Sequence, residues 1–332
     1  MPPRSRVETI AGDALVAPEF VAAWERMRCA TGGGTAFARI HFARALADEF
    51  GYDLAAHAVR SESGSLNAGV LCHVRRLGPY RRAVVPPFVQ YTPVLLDPPL
   101  SEHVVHGGDS PLQILLATLA ERYGGIALNL TPDLQDVRAA AWSGYRVQPL
   151  YTYRIDLEPD RPVHSEWSEN ALRLFRRFTG DYTVVDGIEH ARDVVQLCAD
   201  GYARHERGLP VAEDRLVSLV RRLTELNLVQ VYALRAREGE TCEAGIVVLR
   251  SDDTAHYWVA GSRPGPAMTV LLGHVLERLA QDGIRMFDMV GANTPSIAEF
   301  KRKFGPRLES YYRLEATPAL GLRLLDFARG RA

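Results

Sequence analysis

The stretch that decides the reading is Gly283-Ile284-Arg285-Met286-Phe287-Asp288-Met289-Val290-Gly291. It is followed by Ile297-Ala298-Glu299-Phe300-Lys301-Arg302-Lys303-Phe304-Gly305 and then by Tyr311-Tyr312. Gly283 comes directly after an amphipathic segment, 270–281, and reads as the left-handed cap that ends its helix. Residues 284–289 read as a strand. Phe300 and Phe304 are four apart and share one helical face, so Lys301 and Arg302 point elsewhere. Lys301 and Lys303 are the chain's two lysines, against 37 arginines, and asparagine is also scarce at five copies. Such usage fits a GC-rich coding bias in which arginine serves wherever a positive charge suffices. A compact ammonium that shifts its pKa readily is a different tool. Lys301 is therefore a candidate functional cation, with a solvated basic turn as the alternative.

The grammar of this stretch occurs twice. Residues 112–123 form an amphipathic segment ending at Gly124-Gly125, then a strand at 126–130, as 270–281 lead to Gly283 and 284–289. The block 137–144 with Tyr151-Thr152-Tyr153 matches 297–305 with Tyr311-Tyr312. The offsets Gly125 to Gly283, Gly144 to Gly305 and Tyr153 to Tyr312 are 158, 161 and 159. Upstream, strand-like runs at 52–59 and 229–234 each lead through a turn into a strand that opens with Ala-Gly, at 68–69 and 244–245. The span 81–96 holds Pro86, Pro87 and Pro93, so that strand must be irregular or bulged. Segments 189–207 and 213–226 read as helices. Two copies of one α/β unit follow, each a mixed sheet flanked by helices. The seam lies near 155–165, giving spans of 1–158 and 159–318. A basic amphipathic helix, 319–332, is expected to pack back on the first half.

Composition bounds the rest. The chain has 332 residues, 47% of them hydrophobic and 24% charged, with a net charge of −1. This is ordinary globular composition, and it excludes a disordered, collagenous or coiled-coil chain. Cysteines 29, 72, 198 and 242 form no CxxC and no metal-ligand spacing with histidine, and they read as reduced thiols in a cytoplasmic protein. No metal site is expected. No apolar run reaches the ~20 residues that a membrane span needs, and the N-terminus lacks the apolar core of a signal peptide.

The repeated unit resembles the GNAT acyltransferase fold, and its duplication resembles the FemAB-like tandem GNAT proteins. The residues that carry the resemblance are the strand ending in Phe287-Asp288 before Gly291, the element Phe300-Lys301-Arg302-Lys303-Phe304-Gly305, the Ala-Gly strand and Pro86-Pro87-Phe88-Val89-Gln90-Tyr91. The resemblance covers about residues 20–315. It implies a bacterial enzyme that moves an acyl or aminoacyl group onto a primary amine by direct attack, with no permanently bound cofactor. The co-substrate is an acyl-coenzyme A thioester or, as the alternative, an aminoacyl-tRNA feeding a peptidoglycan precursor or peptide. A non-catalytic GNAT-like binding protein is the second alternative. Partners would be a small-molecule or peptide amine and, on the alternative, tRNA. The oligomeric state stays open.

The resemblance also places the donor site. In GNAT folds a splayed strand offers backbone N–H groups to the donor carbonyl, and the next helix offers its N-terminus to phosphates. Here that strand is His256-Tyr257-Trp258-Val259-Ala260-Gly261, and the loop is Ser262-Arg263-Pro264-Gly265-Pro266-Ala267. Val259, Ala260, Gly261, Arg263, Gly265, Ala267, Arg302 and Lys303 are the expected donor-binding residues. The loop keeps the glycine and the small residue of the coenzyme A pattern but not its first position, and Pro264 and Pro266 remove two N–H donors. Lys301 and Asp288 are the expected catalytic pair. Lys301 would neutralise the oxyanion or leaving group, and Asp288 would orient it or take a proton from the amine. Replacing Lys301 by alanine is expected to abolish most turnover and leave the fold intact. Arg173, Arg176 and Arg177, spaced i, i+3, i+4, form a basic helical face for an anionic substrate. Gln90, Tyr91, His256, Trp258 and Asn293 complete the expected substrate contacts. The site is expected in the second copy. The first copy lacks a glycine loop at its matching turn, 98–105, and would supply acceptor contacts.

Overall fold

The computed structural model describes residues 7–30, 35–61, 63–97, 110–239 and 241–319. The chain divides into two compact units, Met1–Leu150 with Ser310–Ala332, and Tyr151–Glu309. These differ from the spans read from the sequence because the chain enters the second unit part-way along one strand and leaves it part-way along another. The expected C-terminal helix and the turn at 98–105 lie outside the described residues.

The first unit contains β1 (Val7–Ala11), α1 (Pro18–Ala30), α2 (Ile40–Phe50), β2 (Asp53–Arg60), β3 (Leu66–Leu77), β4 (Tyr80–Val84), β5 (Val94–Leu96), α3 (Pro111–Arg122), β6 (Gly125–Asn129) and α4 (Arg138–Trp142). β7 (Arg146–Asp156) then carries the chain across the boundary. The second unit continues with α5 (Glu169–Phe178), β8 (Tyr182–Asp186), α6 (Ala191–Ala203), α7 (Glu213–Glu225), β9 (Val229–Ala236), β10 (Cys242–Ser251), β11 (Thr254–Ser262), α8 (Ala267–Gln281), β12 (Met286–Asp288) and α9 (Pro295–Lys301). β13 (Arg307–Ala316) returns the chain to the first unit.

Both units are mixed sheets covered by helices. In the first unit the pairing runs β1-β2-β3-β4-β6 and on to the 313–316 part of β13. Among the described residues of this unit only β4–β6 pairs in parallel. In the second unit the 154–156 part of β7 pairs with β12, and the pairing continues through β11, β10 and β9 to β8. Among the described residues there only β11–β12 pairs in parallel. The proline-rich span 81–96 is interrupted as expected. β4 stops at Val84, Phe88 takes a positive φ of 61°, and β5 resumes on β3.

The repeated Ala-Gly has a packing cause. A Cβ on Gly69 would lie 2.6 Å from the Trp24 ring of α1, and one on Gly245 would lie 2.4 Å from Val194 of α6. Each glycine lets a helix settle onto its sheet. Gly144, Gly283 and Gly305 adopt the left-handed conformation. Gly124-Gly125 does not cap α3, because Gly125 sits inside β6, where a Cβ would meet Arg82 Nε at 2.9 Å. In the second unit the core forms around α8. Val270, Leu271, Leu272, Val275, Leu276 and Leu279 are all fully buried, and Phe175 of α5 lies over Gly273.

Candidate active site

The parallel pairing of β11 with β12 lasts three residues. Thr254, Ala255 and His256 lie opposite Met286, Phe287 and Asp288. β11 then continues to Ser262, while β12 ends at Asp288. A bulge sharpens the divergence. Val248 pairs with Tyr257 and Val247 with Val259, so Trp258 is the extra residue on β11. The strand alternation expected for His256, Tyr257 and Trp258 therefore breaks at Trp258, which is buried with His256.

The ladder shows which backbone groups face the gap. Arg263 N–H donates to the Glu243 carbonyl at 2.8 Å. Hydrogen-bonded pairs alternate in an antiparallel ladder, so Gly261–Gly245 and Val259–Val247 use their backbone groups on β10. Of the three expected strand residues, Ala260 faces the β12 side. Its backbone lies beside the Cys198 thiol of α6, whose pKa burial pushes up to about 11. Gly261 is small because α6 crosses it. A Cβ there would lie 2.2 Å from the Leu197 carbonyl carbon.

The loop after β11 leads straight into α8. Arg263 is exposed and reaches Glu243 at 3.9 Å. Gly265 has φ 138° with open space around its Cβ position, Pro266 caps the helix, and Ala267 is its buried first residue. The first-turn N–H groups of a 15-residue helix thus follow directly on the splayed strand.

Lys301 and Asp288 are close to each other and heavily engaged. Lys301, 5% exposed, donates through Nζ to the carbonyls of Met289, Val290 (2.5 Å) and Gly291 (2.9 Å). That uses all three N–H bonds of the ammonium. Nζ also stands 5.3 Å from the centre of the Tyr257 ring. Burial lowers the Lys301 pKa to about 8, and Asp288 opposes that shift. Asp288 is fully buried. It accepts from Thr152 Oγ1 at 2.7 Å, Arg154 Nε at 3.3 Å and Val290 N–H at 2.8 Å.

Every N–H of the 289–292 loop is also bonded. Met289 donates to the Tyr153 carbonyl, Val290 to Asp288, Gly291 to Thr152 Oγ1 and Ala292 to the Tyr151 carbonyl. Val290 holds φ 53°, uncommon for a β-branched residue. Lys301, Asp288 and Thr152 thus hold a strained loop at the point where the gap opens. The solvated-turn reading of Lys301 does not fit its burial, and the oxyanion role meets an ammonium whose donors are already taken. Asn293 brackets the backbone of Tyr151, accepting from its N–H at 2.8 Å and donating to its carbonyl at 3.1 Å.

The remaining candidates are scattered. His256 is 1% exposed, and burial lowers its pKa while Asp288 opposes the shift. Arg302 is exposed near Glu299, at 3.9 Å. Lys303 accepts the Ser168 N–H on its carbonyl, which ties the turn to the start of α5. Arg173, Arg176 and Arg177 are exposed and line an open depression with Glu169 and Leu172. In the first unit Tyr91 is 1% exposed and packs edge-on against Phe37 and Tyr311. That burial places it in the core rather than on a substrate surface. Gln90 donates to Tyr311 Oη at 2.5 Å. A cavity of about 270 Å³ in the second unit is lined by Arg154, Arg161, Glu166, Gly305 and Arg307. Its charges are matched internally by Arg307–Asp156 and Arg161–Glu166.

Sequence reasoning missed Thr152, Arg154, Tyr257 and Cys198. The run Tyr151-Thr152-Tyr153 carried a signal, since the middle residue of a strand marker is a polar group facing opposite to both tyrosines. Nothing in sequence spacing links it to a carboxylate 136 positions away.

Comparison with known proteins agrees with this architecture. Residues 166–302 match the model of the acetyltransferase (GNAT) domain. A search of curated proteins returned no match. Among solved structures the chain is similar to FemX, with a TM-score of 0.62 and 10% identity over 82% of this chain and 90% of that one. It is similar to a tandem GNAT protein of the clavulanic acid biosynthesis pathway, with a TM-score of 0.60 and 15% identity over 94% and 99%. It is also similar to L-PGS from Bacillus licheniformis, with a TM-score of 0.54 and 14% identity over 94% and 96%. Among the described residues no helix is long and apolar enough to cross a membrane. Residues 166–302 thus match the acetyltransferase (GNAT) domain, and the chain as a whole shares the fold of FemX and of a tandem GNAT protein.

Proposed function

We propose that the second unit transfers an acyl group from a coenzyme A thioester to a primary amine in the gap between β11 and β12. The observation that carries this reading is the three-residue pairing of those strands, with the Trp258 bulge and α8 starting directly beyond. The Ala260 backbone N–H, facing the gap, would polarise the thioester carbonyl. A thiol is a weak acceptor, so the donor carbonyl displaces Cys198 from it. The α8 N-terminus and Arg263 would take the phosphates.

The amine attacks the carbonyl carbon, a C–N bond forms, the C–S bond breaks, and the electron pair leaves with the coenzyme A thiolate. The proton lost by the amine passes to solvent or to that thiolate. Cys198 stays a thiol near neutral pH because burial pushes its pKa to about 11. That favours direct attack over an acyl-cysteine intermediate. Asp288, Lys301 and Thr152 act as positioning residues by holding the 289–292 loop.

Two features favour the second reading, transfer from aminoacyl-tRNA. Pro264 and Pro266 remove N–H donors from the loop, and Arg173, Arg176 and Arg177 present an exposed basic face. The test is calorimetry and thermal shift with coenzyme A, acetyl-coenzyme A and an aminoacyl-tRNA mimic, since a ligand that binds only the folded state raises its stability. Stabilisation by the thioester supports the proposal. Stabilisation by the tRNA mimic alone replaces it with the second reading.

A further inference from the structure

The first unit carries a feature that acyl transfer does not use. β3 and β4 outrun their neighbours in the sheet. β2 begins at Asp53, opposite Val74, and β6 begins at Gly125, opposite Arg82. The pairs Arg75–Arg82, Arg76–Arg81 and Leu77–Tyr80 close the hairpin. Residues 75–80 therefore form a short two-stranded finger past the ends of the neighbouring strands, with Leu77 and Tyr80 half-buried, and Arg81 anchors its base by accepting the Gly124 N–H on its carbonyl at 2.9 Å and lying over the Tyr123 ring. Gly78, at φ 59°, and Pro79 make its two-residue turn.

Its chemistry is one-sided. The segment reads Arg75-Arg76-Leu77-Gly78-Pro79-Tyr80-Arg81-Arg82, with four arginines and no acid. Arg75, Arg76 and Arg81 are exposed. Like charges directly opposite on neighbouring strands oppose pairing, and this hairpin has two such pairs in succession. Arg122, at the end of α3, adds its charge beside that of Arg81 near His57 and Tyr123. The acids near the base of the finger are Asp53, which reaches Arg76 at 3.4 Å across exposed surface, and Glu121 beside Arg122.

The tip holds Leu77, Pro79 and Tyr80. An aliphatic and a tyrosine ring ahead of a ring of cations is the arrangement of an interfacial anchor, apolar body inward and charge at the headgroups. The first arginine pair stands about 3.4 Å behind the tip and the second about 7 Å. The second distance falls within the ~5–10 Å depth of the headgroup–acyl boundary.

We propose that this hairpin docks the protein on an anionic lipid surface, Leu77 and Tyr80 entering the interface and the arginines meeting lipid phosphates. The aliphatic Leu77 at the tip has no role on a phosphate backbone or a base edge, which favours lipid over nucleic acid. This surface is independent of the donor identity in the second unit.

The test is vesicle co-sedimentation of the full-length chain at low salt. Neutral phosphatidylcholine vesicles are compared with vesicles containing about one-third phosphatidylglycerol. The chain should sediment with the anionic vesicles and not with the neutral ones. Arg75→Gln with Arg76→Gln should weaken partitioning about 30-fold, about five-fold for each charge. Leu77→Ser with Tyr80→Ser should also weaken it while keeping the charge. Thermal melts within about 2 °C of the parent establish that both variants fold. Equal binding by the parent and the arginine variant, or no binding to either vesicle, overturns the proposal. Salt-dependent binding to a tRNA mixture that the same arginines control, without vesicle binding, overturns it in favour of an RNA surface.

Discussion

Lys301→Met is the most informative single change. It keeps the length of the side chain and removes the donors to the Met289, Val290 and Gly291 carbonyls. Each buried carbonyl left without a donor costs about 1–3 kcal/mol. Removing a buried ammonium recovers part of this, because a pKa lowered from 10.5 to about 8 corresponds to about 3 kcal/mol against the charged form. The net loss is about 3 kcal/mol. For a unit of this size that is a fall in Tm of about 6–12 °C, read in the transition of the second unit. The pH dependence has a definite sign. Between pH 8 and 10.5 the unfolded chain holds the proton that the folded chain has shed, so the stability contributed by Lys301 rises with pH across that window. The gap between parent and Lys301→Met should therefore widen from pH 8 to pH 10. Urea melts at pH 7, 8, 9 and 10 read both quantities, with Lys303→Met as the control. A Lys301→Met protein as stable as its parent at pH 7 would refute the positioning role and return Lys301 to direct chemistry. The expectation that removing Lys301 leaves the fold untouched is revised on the same ground.

Gly261→Ala should destabilise by at least about 1–3 kcal/mol in urea, because its Cβ meets the backbone of Leu197 and Cys198 at 2.2–2.3 Å and backbone gives little. Gly265→Ala meets open space but a φ of 138°, so it should fold with a loss of about 1 kcal/mol and show its main effect as weaker coenzyme A binding by calorimetry. Arg176→Glu, on an exposed face, should leave Tm within about 1–2 °C; weakened tRNA-mimic binding with unchanged thioester binding would tie the face to the second reading. In the first unit burial lowers the pKa of His57 and His73 to about 4. Below pH 6.5 the unfolded chain takes up protons that the folded chain refuses, so this stability is present above 6.5 and lost as pH falls toward 4. His73→Gln should flatten that slope in melts between pH 7 and 4.5, and an unchanged slope would show that the burial cost lies elsewhere.

Much of this was legible in the chain, for reasons that can be named. Gly283 marks the end of a helical segment, and its positive φ is what the sequence implied. The Phe300–Phe304 pair lies at 5.2 Å between ring centres, as a shared helical face requires. Gly125 was misread because a glycine after a helix looks the same whether it bends the chain or makes room for a neighbour, here Arg82. The unit boundaries were hidden for a similar reason. The Tyr151-Thr152-Tyr153 and Tyr311-Tyr312 markers carry the same pattern, and nothing local says which sheet each strand joins. The first of these belongs with β12 of the second unit, through Arg154, Ile155 and Asp156, and the second with β6 of the first. The Trp258 bulge and the Cys198–Ala260 contact arise from tertiary packing of α6 on β11, which no periodicity records. Lys301 stood out by composition, but composition cannot distinguish an ammonium facing a reactant from one facing three carbonyls of its own chain.

On the proposed mechanism the gap beyond His256 and Asp288 holds the thioester of an acyl-coenzyme A donor. A crystal structure of the full chain with a non-hydrolysable acetyl-coenzyme A analogue tests it most directly. The analogue's carbonyl oxygen should lie within hydrogen-bond distance of the Ala260 N–H, with the Cys198 thiol moved aside and the phosphates at Arg263 and the first turn of α8. A donor bound anywhere else, or a complex in which the Cys198 thiol still covers the Ala260 N–H, would contradict it.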